Sequence, residues 1–503
     1  MARRLLLSLL CLVVFTGPSS AAAPGLEERV VEHHLANGLT LLLMERHQAP
    51  IVAVNLTYKV GGVQEHNGIT GVAHLYEHMA FKGSRTIGVT DADKERPVLE
   101  ELDRLAEAIT AEKAKGPAAD QARLTDLHRQ FAAVEAKADT FVVPSELATL
   151  YQRHGGVGLN ATTGKDMTRY FLSFPSNRLP LWAAVESDRM ANGVLREFYK
   201  EKNVVLEERR QRTDNSPGGR LSEAFTAAAF EAHPYGLPVI GWPSDLDALG
   251  RAQTEAFFRT YYGPANAVLA IVGDINSKDV IALVEQTFGR IPPRPPSPPV
   301  VTTEPASPGE RRAEVEYAAE PQILIGFHKP GTSHPDDEVF DVIEALLSDG
   351  RTSRLHKRLV QEKQLATTVS AFSDYPGAKY PNLFVVGATP RAPHTAAEVE
   401  QAVYEELDRL KKEPVAPREL EKILNQIDAG QVRALRSNSG MASQLGYFQA
   451  VNGDWREVVK RRDRIAKVGP EDIRRVAARY FTKNNRVVAT LVRPVKQETE
   501  SKP

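Results

Sequence analysis

The alternation of apolar and polar residues divides the chain into two similar successions of elements. Leu39–Met44 and Ile51–Val60 are short runs rich in Leu, Ile and Val, the pattern of strands with at least one buried face. Gln322–Phe327 and Asn382–Ala388 have the same character further along. Other stretches carry apolar residues three and four apart, the period of an amphipathic helix. The longest lie at 93–114, with Val98, Leu99, Leu102, Leu105 and Ile109 in phase, and at 118–138, with Leu124, Leu127, Phe131 and Val134 in phase. Gly116-Pro117 separates them, so the pattern predicts a helical hairpin over 93–138, solvated outside and packed mainly on itself.

The succession is interrupted once. Ile291–Pro299 contains six prolines, and Pro305 and Pro308 follow. That density excludes helix and internal strand and predicts an extended linker over 291–310. It parts a first domain, 25–290, from a second, 311–495, with a polar tail at 496–503. The two are related in sequence. Tyr261-Tyr262 followed by Asn266, Val268 and Ala270 is matched by Tyr480-Phe481 followed by Asn485, Val487 and Ala489, at a constant offset of 219 (480 − 261). In both, a helix ending in aromatics runs through a polar turn into an apolar strand. The expected fold is therefore α+β, with two homologous domains, each a mostly antiparallel sheet with helices packed on one face.

Composition changes this picture in three ways. Hydrophobic residues at 42% and charged residues at 25% describe a soluble globular protein. The 63 basic and 64 acidic residues nearly cancel, so no nucleic-acid partner is expected. At the N-terminus, Arg3 and Arg4 precede the apolar run Leu5–Phe15, and small residues follow to Ala23. That is the order of a signal peptide over 1–23, cleaved among Ala21–Ala23. The alternative, a membrane anchor, needs about 20 apolar residues, and no membrane span is expected. Export is expected, to a bacterial periplasm or to the exterior. The single cysteine, Cys11, lies in this leader, so the mature chain has no thiolate ligand and a metal would rest on His and carboxylates.

The candidate chemistry is concentrated in His74-Leu75-Tyr76-Glu77-His78. At about 100° per residue, His74 and His78 lie about 40° apart on a helix and Glu77 about 60° to the other side. Two neutral imidazoles one turn apart can share a zinc ion, and Glu77 can reach a zinc-bound water as general base. A third ligand is expected on the helix predicted over 196–215, which carries Glu201, Glu207 and Glu208. Glu201 and Glu208, seven apart, share a face within about 20°, whereas Glu207 points away. One of the aligned pair would bind the metal and the other would orient a histidine.

The stretch His74–Gly83 resembles the active-site helix of the pitrilysin/insulinase zinc metallopeptidases, which include mitochondrial processing peptidase, and Glu201–Glu208 resembles their distal motif. The resemblance implies that Glu208 is the third zinc ligand and that Glu201 supports the site. Gly158–Thr162 is similar to the segment in which Asn160 and Ala161 meet the substrate strand, and His233–Gly241 is similar to a structural landmark of the family. The resemblance thus implies an exported zinc metalloendopeptidase acting on short or unfolded peptides, with one Zn²⁺ per chain. There are two departures. His78 and Glu208 are 130 residues apart (208 − 78), longer than in the family, and the hairpin accounts for most of the excess. Active single-chain members also carry an Arg and a Tyr seven apart in the second half to grip substrate, where this chain has Val360 and Thr367. The expected partner is consequently a homologous subunit with that grip and without HxxEH, a homodimer being the fallback. The alternatives are a noncatalytic assembly subunit and a zinc- or peptide-binding protein of the same fold.

Overall fold

The structure, a computed structural model, describes residues 25–494, so the expected leader 1–23 and tail 496–503 lie outside the described residues. The first half contributes β1 (Val30–His34), β2 (Thr40–Glu45), β3 (Ile51–Tyr58), β4 (Val157–Thr163), β5 (Thr168–Pro175) and β6 (Ala267–Gly273). They form a six-stranded sheet in the order β1-β2-β6-β3-β5-β4, with only β2 and β6 paired in parallel. The second half contributes β7 (Arg311–Glu316), β8 (Gln322–Lys329), β9 (Ala366–Tyr375), β10 (Asn382–Pro390) and β11 (Arg486–Val492). Their order is β7-β11-β8-β10-β9, with only β7 and β11 parallel. Once β1 is set aside the two orders are the same.

The helices that build the site and join the halves are α1 (Val72–Met79), α2 (Ala92–Lys113), α3 (Gln121–Asp139), α4 (Phe198–Arg209), α5 (Pro217–Ala229), α6 (Arg251–Tyr261), α7 (Asp337–Ser348), α8 (Ala396–Lys412), α9 (Asn438–Val451) and α10 (Pro470–Tyr480). The pairs α6/α10 and β6/β11 keep the offset read from the sequence, since 470 − 251 and 486 − 267 both equal 219. Asn266 and Asn485 explain why that offset is rigid. Each donates from Nδ2 to the carbonyl of the tyrosine that ends its helix, Tyr261 or Tyr480, at 2.8 Å, and each also reaches a carbonyl of the neighbouring strand.

Helices of each half cover one face of its own sheet, as expected: α1, for example, on the first and α7, α8 and α10 on the second. The opposite faces are covered reciprocally. From the first half, α5 lays Leu221, Phe225 and Ala229 on Leu383, Val385, Val487 and Leu491 of the second sheet. From the second half, α9 lays Met441, Ala442 and Leu445 on Leu42, Val268, Ala270 and Val272 of the first. Both faces of β6 are thus buried, which is why its sequence is apolar throughout rather than alternating. Glycine eases the close approach at both contacts. A Cβ on Gly326 would stand 2.5 Å from the Phe225 ring, and one on Gly446 would stand 3.0 Å from Thr57 Oγ.

The hairpin forms where its period placed it, but it is not packed on itself alone. Glu95 of α2 makes a buried ion pair with Arg196 at 2.8 Å, and Asp103 pairs with Arg251 at 2.6 Å and accepts from Tyr199 at 2.9 Å. Val98, Leu99 and Leu102 meet Ala138 of α3 and the partly buried Val194 and Tyr199. The proline-rich segment has no regular secondary structure, yet it is strapped down: Glu304 accepts the backbone N–H groups of Glu231, Ala232 and His233 at 2.8–3.0 Å.

Candidate metal centre

The helix α1 is short, and its apolar positions Val72, Ala73, Leu75, Tyr76 and Met79 fix its orientation by packing into the core of the first half. Its N-cap residue is Gly71, at φ 86°, which cannot cap with a side chain. Glu65 does so instead, accepting from Gly71 N at 2.9 Å and from Ala73 N at 2.8 Å, where it also faces the positive end of the helix dipole. With the apolar face committed to the core, His74, Glu77 and His78 line a cleft of about 910 Å³.

The structure brings His74 and His78 together with Glu208 of α4, the three ligand atoms all lying within 4.8 Å of one another. His78 Nε2 is 3.3 Å from Glu208 Oε2, and His74 Nε2 is 3.7 Å from Glu208 Oε1. Ligands held at 2.0–2.1 Å in a tetrahedral shell stand about 3.4 Å apart, so the two histidines and the glutamate are close enough to share a zinc ion. The donor chemistry agrees. Glu201, one of the aligned pair on α4, takes His78 Nδ1 at 2.9 Å. With Nδ1 donating to the Glu201 carboxylate, His78 turns Nε2 toward Glu208, the orientation a metal-binding imidazole takes. Glu207 points away and pairs with Arg210 at 2.8 Å, half-exposed.

Burial sets the protonation of the cluster. Burial, with the neighbouring charges of His78 and Arg212, pushes His74 down to about 3, so its imidazole is neutral. In His78 burial works the same way but is outweighed by the bond to Glu201 and the charges of Glu201, Glu208 and Glu77, which raise it. Burial raises Glu201 too, but its bonds to His78 and Lys82 prevail and hold it at about 2. Burial raises Glu77, and Thr163 Oγ, donating to Glu77 Oε2 at 2.6 Å, pulls partly against it. Glu77 thus lines the cleft with its carboxyl raised above the ordinary value, the kind of perturbation that marks a candidate acid–base group.

Asn160 and Ala161 lie on β4, the outermost strand of the first sheet, and both line the cleft. Asn160 is exposed, and its Oδ1 accepts from Ala161 N at 2.9 Å. Among the described residues no strand pairs with the outer edge of β4. Val360 lies on a π-helical segment at 356–362 and Thr367 is the second residue of β9, where its hydroxyl donates to the Thr389 carbonyl at 3.3 Å. Neither lines the cleft. His233 is buried and accepts from Tyr235 N at 3.2 Å, and Tyr235 Oη bridges Asp166 of the first half and Tyr380 N of the second, a structural role.

Three participants escaped the sequence reading. Thr163 holds Glu77, Arg212 lies 2.6 Å from Glu208 Oε1, and Lys82 lies 2.8 Å from Glu201 Oε2. Arg212 stands four residues after Glu208, a spacing that would have placed it beside that glutamate, whereas Lys82, four after His78, carries no signal that its partner is Glu201 on the other helix. Thr163 carries no such signal, because only strand packing brings β4 to α1.

Comparison with known proteins matches residues 40–95 to the family described as Insulinase (Peptidase family M16) and residues 248–427 to the Peptidase M16 inactive domain. The first match contains His74, Glu77 and His78, and the second contains none of the cluster. The chain is 27% identical over 454 residues to the zinc protease PqqE of Helicobacter pylori, covering 89% of each. A crystal structure of a protease from Helicobacter pylori superposes with a TM-score of 0.77 at 26% identity, over 92% of this chain and 99% of that one. The periplasmic protease PqqL from Escherichia coli matches 94% of this chain with 48% of its own, at TM-score 0.69 and 17% identity, so that protein is about two such folds long. With two homologous, mostly antiparallel sheets, the HxxEH helix and these relatives, the chain carries peptidase family M16 domains and is similar over most of its length to zinc proteases of the insulinase type.

Proposed function

We propose that this chain is an exported zinc metalloendopeptidase that hydrolyses short or unfolded peptides, working with a second, related subunit. The observation that carries the proposal is the convergence of His74, His78 and Glu208 at zinc-shell separations, with Glu77 on the same helix face. Zinc at this site supplies Lewis-acid activation of water and of the scissile carbonyl. Glu77 accepts the proton of the attacking water and returns it to the leaving amine. Thr163 holds the Glu77 carboxylate in one orientation, and Glu201 holds His78. The substrate lies as an added strand on the edge of β4, its backbone met by Asn160 and Ala161. The leader over 1–23 supports export to the periplasm.

The case for a partner rests on what the cleft lacks. No residue at Val360 or Thr367 reaches the cleft to orient the chain of a bound peptide, and misplacing a scissile bond by 1 Å can cost about 10²-fold in rate. A homologous subunit without HxxEH would supply that grip, and a homodimer would close a chamber without supplying it. One observation favours a second reading, a noncatalytic subunit: the match of residues 248–427 to the inactive domain. The retention of His74, Glu77, His78 and Glu208 together speaks for the enzyme. Peptide-library cleavage by the pure zinc-loaded chain, with and without a homologue encoded beside it, tests both. The proposal expects weak cleavage alone and strong cleavage together. No cleavage in either case would leave the noncatalytic reading.

A further inference from the structure

Two acids stand beside Lys82 at the base of α4, and neither is a metal ligand. The ammonium is 2.8 Å from Glu201 Oε2 and donates to Glu197 Oε2 at 3.1 Å. All three side chains are largely shielded, at 24%, 13% and 24% exposure, so the contacts are not the loose pairing of a solvated surface. Glu201 uses its other oxygen for His78 Nδ1. A continuous chain therefore runs His78–Glu201–Lys82–Glu197. Its last member is held in the left-handed region at φ 56°, a conformation unfavourable for a non-glycine residue that persists where surroundings enforce it.

The covalent arrangement shows what this chain does. Lys82 follows α1 directly, in the turn Ala80–Lys82, while Glu197 and Glu201 lie at and just inside the N-terminus of α4. The lysine thus ties the end of the helix bearing both histidines to the start of the helix bearing Glu208. A carboxylate with only His78 to bond could rotate about its side chain, whereas one gripped on both oxygens presents a single acceptor direction to the imidazole. We propose that Lys82 is a positioning residue of the metal centre: through Glu201 it fixes the ring orientation of His78 and the register of α4 on α1, and so sets the affinity for zinc. This rests on the zinc reading of the cluster but not on peptidase activity.

The sign of the effect separates this role from simple electrostatics. A lysine that acted only through its charge would repel the ion, and its removal would tighten zinc binding. A positioning lysine loosens binding when removed, by the 10–100-fold typical of an outer partner of a metal ligand. The experiment is competition of the full mature chain against a chelator of known zinc affinity, for wild type, Lys82→Met, Lys82→Arg and Glu197→Gln. Lys82→Met should weaken zinc binding about 10–100-fold, and Lys82→Arg should stay within about threefold of wild type. Glu197→Gln, which keeps the lysine but loosens its second anchor, should fall between them and guards against a Lys82→Met chain that does not fold. In ¹⁵N-histidine spectra of the zinc-loaded chains, the His78 Nδ1–H signal should move in Lys82→Met while that of His74 stays. Unchanged or tighter zinc binding in folded Lys82→Met would overturn the proposal and leave the zinc centre intact. A wild-type chain that retains no zinc would overturn both.

Discussion

Glu207 and Glu208 are adjacent and chemically identical, yet the cluster distinguishes them completely. Glu208 stands between two histidine Nε2 atoms, and Glu207 is half-exposed against Arg210. Glu208→Gln should cost zinc affinity more than the roughly 10–100-fold expected for an outer partner, while Glu207→Gln should leave it unchanged. Metal analysis after dialysis against a weak chelator checks this, and the reverse order would mean that α4 is misregistered on α1. Glu201→Gln should fall between the two, because an amide can still accept from His78 Nδ1 but no longer as an anion. This much was legible in the sequence, since positions 74, 77 and 78, and then 201 and 208, are related by helical geometry alone. Which of Glu201 and Glu208 joins the two histidine Nε2 atoms was not legible from spacing, because a shared face does not say which end of α4 lies over α1.

At the scale of elements, the hairpin shows where periodicity stops being informative. Its stripe located both helices to within a few residues, but a stripe cannot say whether it meets its twin, the rest of the domain or both. The answer lies in two charged residues on its inner side, Glu95 and Asp103. Arg196, the partner of Glu95, also donates to the carbonyls of Lys82, Ser84 and Ile87, the loop that follows α1. Excising 93–138 outright would strand that buried guanidinium, and breaking a buried pair from one side costs about 3–5 kcal/mol. The full deletion is therefore expected to fold poorly, whereas one that keeps 92–103 and 135–139 should fold and retain the His74, His78 and Glu208 cluster. Thermal unfolding and zinc content of the two deletions check this. Equal stability of both would show that Glu95 and Asp103 are dispensable.

At the scale of the whole molecule, the duplicated halves invite the view that each is a self-sufficient domain, and the exchange of α5 and α9 argues against it. Severed in the linker, the first half would expose the apolar face of β2 and β6 and the stripe Leu221, Phe225 and Ala229. Neither half should remain soluble alone, but the two expressed together should associate and recover the cluster. Phe225→Ala should destabilise the whole chain by about 3–5 kcal/mol, because its ring is fully buried against Gly326 on the other half's sheet. The duplication could be read from the sequence because Tyr261, Asn266, Val268 and Ala270 recur as Tyr480, Asn485, Val487 and Ala489 at one offset. The exchange could not, since an amphipathic helix records that it has an apolar face and not which sheet will cover it. The same reciprocity bears on chemistry, for α4, which carries Glu208, leads within a few residues into α5 on the other half's sheet.

The central claim is that Glu77 acts as the base beside a zinc held by His74, His78 and Glu208. It is tested most directly by the cleavage rate of an unstructured peptide with zinc-loaded wild type and Glu77→Gln, at equal measured metal content and with the same partner present. Loss of a general base costs about 10²–10⁴-fold in rate, so the variant should keep its zinc and lose activity by that factor. A Glu77→Gln chain that holds zinc and cleaves the peptide as fast as wild type would contradict the account.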